Sequence, residues 1–263
     1  MNSDAPQKHA IFFVSTGRCA TQWFADSLAT HYQDLAVVRH EPFQQQYEPR
    51  RYFRAYHKKQ RPALPGDIEK HLNSIRATVE NSHYIEVGWP CYGVLPLFLS
   101  RLQGRVKLIH LYRHPVRVAA SLATHRVYNR GEWSDSVAID PSDFGVTQGQ
   151  LKGAEWSSMS EFEKCLFWWT EINSFALQLK KDFPSVPWLS LKYEDVFDAN
   201  GKSTLSTLLS FLSLPEREGF LSSTSETKDR FSSKTHATLD LRAIEKYPQA
   251  LDVMSSLGYK DHD

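Results

Sequence analysis

The stretch Ile11-Phe12-Phe13-Val14-Ser15-Thr16-Gly17-Arg18-Cys19-Ala20-Thr21-Gln22-Trp23 decides the architecture. Its four leading apolar residues form a continuous run, the pattern of a strand buried on both faces of a parallel sheet. A short turn of small residues follows, and Trp23-Phe24-Ala25-Asp26-Ser27-Leu28 opens an apolar-periodic helix. A strand, a tight turn and a helix start bring backbone N–H groups and the positive end of a helix dipole to one point. Such a point is an anion site, and a phosphate fits it. Arg18 adds a fixed positive charge and Thr21 a hydroxyl. The loop lacks the G-x-x-x-x-G-K-[ST] spacing and its lysine. It predicts a phosphate-bearing ligand, but not an ordinary ATPase.

A second strand-like run, Val106 to Tyr112, ends at Arg113-His114-Pro115. Val116 to Leu122 then has helical apolar spacing, and Pro115 suits the first turn of a helix. Ser121 lies eight residues beyond Arg113, about two helical turns into that element. If the chain doubles back there, guanidinium and hydroxyl converge on a second phosphate, which the planar arginine fork grips bidentately.

Together these segments resemble the sulfotransferases that use 3'-phosphoadenosine-5'-phosphosulfate (PAPS). In that family a first loop, commonly [K/R]-S-G-T-T-[W/L], grips the 5'-phosphosulfate; here Arg18-Cys19-Ala20-Thr21-Gln22-Trp23 stand in its place, following Gly17. The family's second motif, an Arg at a strand end with a Ser eight residues later, binds the 3'-phosphate; Arg113 and Ser121 match it. A third match, Leu191-Lys192-Tyr193-Glu194-Asp195, resembles the family's Y-E-D strand end, whose Tyr lies against adenine. The resemblance spans Phe12 to Asp195. It implies an α/β fold with a P-loop-like parallel sheet flanked by helices, PAPS as the cofactor and no metal. Three departures stand out: Cys19 for Ser, Ala20 for Gly and Gln22 for Thr. Ala20 is costly if the turn needs a positive φ, and Cys19 is a weaker hydrogen-bonding group than Ser. Facing phosphate, Cys19 is also expected to react as a thiolate.

Sulfuryl transfer needs cations near the leaving phosphate and a base for the acceptor's proton. Arg18 is the expected cation, as the loop Lys or Arg is in the family. For the base, Glu41 is first, because the glycan-type members carry a Glu shortly after the first helix, where Glu41 stands. Glu86 is second. It resembles the Glu of the glycan group's E-K-[ST]-P, with Val87 in place of the Lys. His40 is third, with an ordinary pKa suited to the task. Lys228, Arg230 and Lys234 fall where sulfotransferases return a basic loop over the 3'-phosphate, and Lys234 is taken as a cofactor ligand; a solvated loop is the plain alternative.

At 263 residues and 41% hydrophobic content the chain reads as one well-cored domain, residues 1–263, with no internal repeat or dividing linker. A net charge of +1 gives no field favouring nucleic acid or an anionic membrane. Met1 to Ala10 is polar, so no signal peptide is expected, and no apolar run approaches a membrane span. A cytoplasmic location follows as the expectation. Three scattered cysteines support neither a disulfide framework nor a zinc site.

Strands are predicted at Ala10–Ser15, Leu35–Arg39, His83–Val87, Val106–Tyr112 and Pro187–Leu191, with helices at Leu72–Glu80 and Val94–Arg101. Ser160-Glu161-Phe162-Glu163 forms a capping box for a long helix to about Lys181. On it, Trp168 and Trp169 read as core and rim rather than ligand stackers, and His110 reads as a core histidine of its strand. Gln44–Pro65 and Thr124–Trp156 read as irregular loops, whose Tyr47, Tyr52, Phe53, Tyr56, Tyr128 and Trp133 shape an acceptor pocket or pack on the core. The acceptor is expected to be a small molecule or sugar bearing a hydroxyl or amine. Two rival functions stay open: a P-loop nucleotide or small-molecule kinase, and a non-catalytic adenine-nucleotide-binding protein. The oligomeric state is not legible.

Overall fold

The computed structural model describes residues 7–102, 104–143, 145, 153–199, 201–226, 244–245 and 247–259. Five strands form one sheet: β1 (Ala10–Val14), β2 (Ala36–His40), β3 (His83–Val87), β4 (Val106–Tyr112) and β5 (Trp188–Lys192). Their order is β2-β3-β1-β4-β5, and every neighbouring pair is parallel. All five predicted strands are present, with ends moved by one residue at most.

β1 occupies the middle of the sheet and is fully buried over all five residues. That burial explains its unbroken apolar run, since helices flank a sheet in which β1 already has a strand on each side. From β1 the chain runs outward to β2, returns to β3, and then crosses to β4 on the opposite side. The strand order therefore reverses at β1, and a crevice opens beyond its carboxyl end. The segment from Ser15 to Ala20 lies there.

Helix α1 (Thr21–Tyr32) follows that segment; α2 (Pro49–His57), α3 (Gly66–Thr78) and α4 (Leu95–Leu102) come before β4. After β4 come α5 (Pro115–Thr124), α6 (Glu132–Val137), α7 (Gly153–Ser158) and α8 (Glu161–Asp182). Helices α9 (Tyr193–Val196), α10 (Gly201–Leu212), α11 (Glu218–Ser222) and α12 (Pro248–Ser256) follow β5. The capping box at α8 is formed: Ser160 Oγ accepts the Glu163 N–H at 3.3 Å, and the Glu163 carboxylate accepts the Ser160 N–H at 2.8 Å. Helix α5 begins with Pro115 and buries Val116, Val118, Ala119 and Leu122, packing on α8. Among the described residues no helix is long and apolar enough to cross a membrane.

Two expectations need correction. Gln44–Pro65 is not an irregular loop but contains a short 3-10 helix (Gln44–Tyr47) and α2. Its dense arginines are satisfied at a distance: Arg50 Nε donates to Asp143 at 3.0 Å, and Arg50 and Arg54 also pair with Asp140 and Asp143, respectively. Those aspartates lie some 90 positions away, so α2 looked too polar to fold while its Tyr52, Phe53 and Ala55 are buried. Thr124–Trp156, likewise, includes α6 and most of α7.

Candidate active site

The loop after β1 is shaped by backbone torsions that few residues adopt. Gly17, Arg18 and Ala20 have φ of 77°, 60° and 62°. Ala20 is the N-cap of α1, so the alanine takes the left-handed conformation that glycine holds without strain. No side chain caps α1 and no acidic residue occupies its first turn. The same holds for α5, whose N-cap is His114. The α1 start thus presents its positive end without a built-in carboxylate in its first turn.

The chain does double back. Arg18 Nε donates to Ser121 Oγ at 2.8 Å, and Arg113 Nη1 donates to the Arg18 carbonyl at 3.2 Å. The Arg113 guanidinium lies 4.2 Å from the ring centre of Tyr193. Arg18, Arg113, Ser121 and Tyr193 are therefore one cluster, built from the ends of β1, β4 and β5.

The base candidates separate into two environments. Glu41 has φ of 45°, and its backbone N–H bonds the Val87 carbonyl at 3.2 Å. Its side chain folds over Gly88, where any β-carbon would come within 2.4 Å of Glu41 Cγ. Burial pushes the Glu41 carboxyl up to about 7; the nearby Glu86 adds to this, while the Trp89 backbone N–H and Arg18 oppose it. His40 Nε2 lies 3.3 Å from Thr21 Oγ1 and 3.7 Å from Glu41 Oε1. Burial lowers the His40 pKa below its usual 6.5, so near neutrality the imidazole is uncharged. Glu86 is different. It is 1% exposed, and its Oε2 accepts the Tyr84 and Tyr47 hydroxyls at 2.7 and 3.0 Å with His71 Nε2 at 3.4 Å. It belongs to an enclosed polar cluster beneath Glu41.

Other expected ligands fall as follows. Cys19 is fully buried, and its thiol donates to the Gly17 carbonyl at 3.2 Å. Burial pushes that thiol up, so the expected thiolate is overturned; the side chain packs inward and leaves only backbone to face the crevice. Gln22 is exposed and bonds Asp26 one turn on at 2.7 Å. Trp23 packs its ring edge-on to Phe24 and Phe197. Lys234, with Lys228 and Arg230, lies outside the described residues.

Trp168 and Trp169 are buried core residues, and they also do more. Their indole N–H groups bond the carbonyls of Thr16 at 3.2 Å and Arg113 at 2.9 Å, fastening both loops from behind. The signal was two adjacent tryptophans on a helix following the second motif; only their apolar spacing drew notice. His110, fully enclosed, bonds Asn173 at 2.7 Å, and burial takes its pKa down to about 4. It is the core histidine expected.

A cavity of about 780 Å³ lies between α2, α4 and α8, walled by Tyr52, Phe53, Tyr56, Leu97 and Phe175. None of Arg18, Thr21, His40, Glu41 or Arg113 lines it. The aromatic residues expected around an acceptor therefore divide: three face this separate cavity, while Tyr47 sits in the Glu86 cluster. Tyr128 donates to the Ile139 carbonyl at 2.7 Å, and the Trp133 side chain lies outside the described residues.

No family model matches the chain, and no curated protein matches it in sequence. Solved structures do. The sulfotransferase domain from the curacin biosynthetic pathway aligns over 97% of this chain and 99% of its own, with TM-score 0.58 at 16% identity. The fold is that of a sulfotransferase domain. The sulfotransferase domain of the Synechococcus PCC 7002 olefin synthase aligns equally well, with TM-score 0.57 at 16% identity over 99% of this chain and 98% of its own.

Within that fold the cluster is suited to an anionic group. Arg113 Nε is buried and has no hydrogen-bond partner among the described residues. A buried cationic donor left unmatched is costly, and a phosphate oxygen satisfies it. The start of α1, with no side-chain cap, favours the same sign of charge.

Proposed function

We propose that this protein is a PAPS-dependent sulfotransferase acting on a hydroxyl or amine of a small-molecule or sugar acceptor. The observation that carries the reading is the meeting of Arg18, Ser121 and Arg113, from motifs about a hundred residues apart, near a Glu41 whose carboxyl is raised by burial.

Bound PAPS would supply an electrophilic sulfuryl group and a phosphate leaving group. Gly17, Arg18, Thr21 and the backbone of Cys19, Ala20, Gln22 and Trp23 hold the 5' end in this reading. Arg113 and Ser121 hold the 3'-phosphate, with Tyr193 against adenine and Lys234 as a further ligand. Glu41 would accept the proton of the acceptor's hydroxyl or amine. A carboxyl titrating near 7 is matched to that work at neutral pH. Arg18 meets the negative charge that develops on the leaving phosphate. His40 contacts Thr21 at 3.3 Å and stands 3.7 Å from Glu41, beside the base rather than bonded to it. Glu86 takes no proton from the acceptor, because hydroxyl donors already occupy its carboxylate oxygen.

The test is a labelled-PAPS reaction against pooled hydroxyl and amine acceptors, read as a mass gain of one sulfate. Sulfated product without ATP supports the proposal. Tight binding of the desulfonated nucleotide with no product from any acceptor supports a non-catalytic binding protein instead. Magnesium-dependent phosphorylation from ATP would replace the proposal with a kinase.

A further inference from the structure

Glu194 links the arginine of the second motif to the C-terminal helix. Its Oε1 accepts the backbone N–H of His114 at 2.9 Å, and its Oε2 accepts the Tyr259 hydroxyl at 2.9 Å. His114 directly follows Arg113 and caps α5, so the first bond fixes the turn from which the guanidinium projects. Tyr193, the residue before Glu194, packs against that same guanidinium at 4.2 Å. One carboxylate therefore ties down both the root of Arg113 and the ring it rests on.

Tyr259 is held as firmly. It is 6% exposed, with the Lys192 ammonium 4.1 Å from its ring centre and the His114 ring edge-on at 5.7 Å. Gly258, with φ of 83°, ends α12 and turns the chain back; a β-carbon there would meet nothing within 4 Å, so conformation rather than space calls for glycine. Tyr112 donates to the Leu257 carbonyl at 3.0 Å, fastening this turn to β4. Burial, with the nearby carboxylate, pushes the Tyr259 hydroxyl far above its usual range, so it stays a donor.

We propose that Glu194 and Tyr259 are positioning residues that aim Arg113, making the C-terminal turn a determinant of selectivity for 3'-phosphorylated nucleotides. This rests on the reading of Arg113 as a 3'-phosphate ligand. The carboxylate and hydroxyl touch no ligand themselves; they act through the turn at His114.

The experiment is calorimetric titration of the full chain with 3'-phosphoadenosine 5'-phosphate and with AMP, taking the ratio of the two Kd values. Tyr259→Phe keeps the ring and removes the hydroxyl. The ratio is expected to fall by about 2- to 12-fold, the effect of one ordinary hydrogen bond, with AMP affinity unchanged. Glu194→Gln retains an acceptor for the His114 N–H and keeps most of the ratio, while Glu194→Ala loses more than Tyr259→Phe. An unchanged ratio in folded Tyr259→Phe overturns the proposal, and so does equal weakening for both nucleotides. Arg113→Ala separates the two layers. If it too keeps the ratio, the reading of Arg113 falls and the proposal with it. If it loses the ratio while Tyr259→Phe does not, the positioning proposal alone falls.

Discussion

Glu41→Gln keeps the shape of the side chain and removes its ability to take a proton. Glu41 has an ordinary value of 4.5 and is raised to about 7, chiefly by burial, with its side chain 18% exposed. The folded protein therefore binds this proton more tightly than the unfolded chain does. Between 4.5 and about 7 the native state carries more protons, so stability falls as pH rises through that window. The favourable contribution is complete below 4.5 and gone above about 7. At about 1.4 kcal/mol per pH unit, the displacement from 4.5 to about 7 corresponds to roughly 3 kcal/mol.

The substitution removes that dependence. Relative to the native protein, Glu41→Gln is expected to gain up to roughly 3 kcal/mol between about pH 4.5 and pH 8. In a chain of this size that is a change in Tm of several degrees, at roughly 2–4 °C per kcal/mol. Turnover is expected to fall by about 10²–10⁴-fold, the usual share of a general base. In the native protein kcat/KM is expected to rise with pH to a plateau just above about 7, and the variant to lack this limb. Burial lowers the His40 pKa, so a limb carried by His40 is expected at lower pH than one carried by Glu41. Calorimetry at three pH values and a pH–rate profile measure both effects. Equal Tm differences at every pH together with near-normal turnover would refute both the buried carboxylate and its role.

Three further substitutions probe the neighbouring geometry. Arg113→Ala is expected to weaken PAPS binding by roughly 2–5 kcal/mol and adenosine 5'-phosphosulfate binding far less, with Ser121→Ala acting in the same direction but less, as titration of both ligands will show. Gly88→Ala puts a β-carbon within 2.4 Å of Glu41 Cγ; a misplacement on this scale lowers turnover on the order of 100-fold while nucleotide affinity, read by titration, holds. In a chain whose Cys91 and Cys165 are replaced, Cys19 is expected to resist thiol reagents until denaturant is added, because the thiol is enclosed and its pKa raised; rapid labelling of the native protein would place it in the open.

What could be read from the sequence was what depends on neighbours along the chain. β1 shows itself because a central parallel strand needs apolar residues on both faces, and Pro115 marks α5 because its ring fits only the first turn. The loop at Gly17 to Ala20 shows its strain for the same reason: an alanine where glycine is usual signals a turn, and Ala20 takes φ of 62°. The direction in which Cys19 points was not legible. With Gly17, Arg18 and Ala20 left-handed, the side chains of this loop depart from any regular period, and no residue type records which side is the crevice.

The ranking of the bases needed the fold for a different reason. Glu41 and Glu86 are both carboxylates next to a strand end, and nothing in either residue distinguishes them. Their environments come from residues distant in sequence. Tyr47 and His71 close over Glu86 from the segments between β2 and β3, and supply the donors that an enclosed carboxylate requires. Glu41 receives no such set; burial acts on it with little relief, and the charge of Glu86 below adds to the effect. Two carboxylates in one region thus meet unequal sets of hydrogen-bond donors. Glu86 is met by two tyrosine hydroxyls, whereas burial outweighs the Trp89 backbone N–H at Glu41 and raises its carboxyl to about 7. The tyrosine-rich stretch around Tyr47, which by composition suggested a wall for an acceptor, instead acts one layer deeper: the Tyr47 hydroxyl donates to Glu86, so that Glu86 is engaged by hydroxyl donors that Glu41 does not receive.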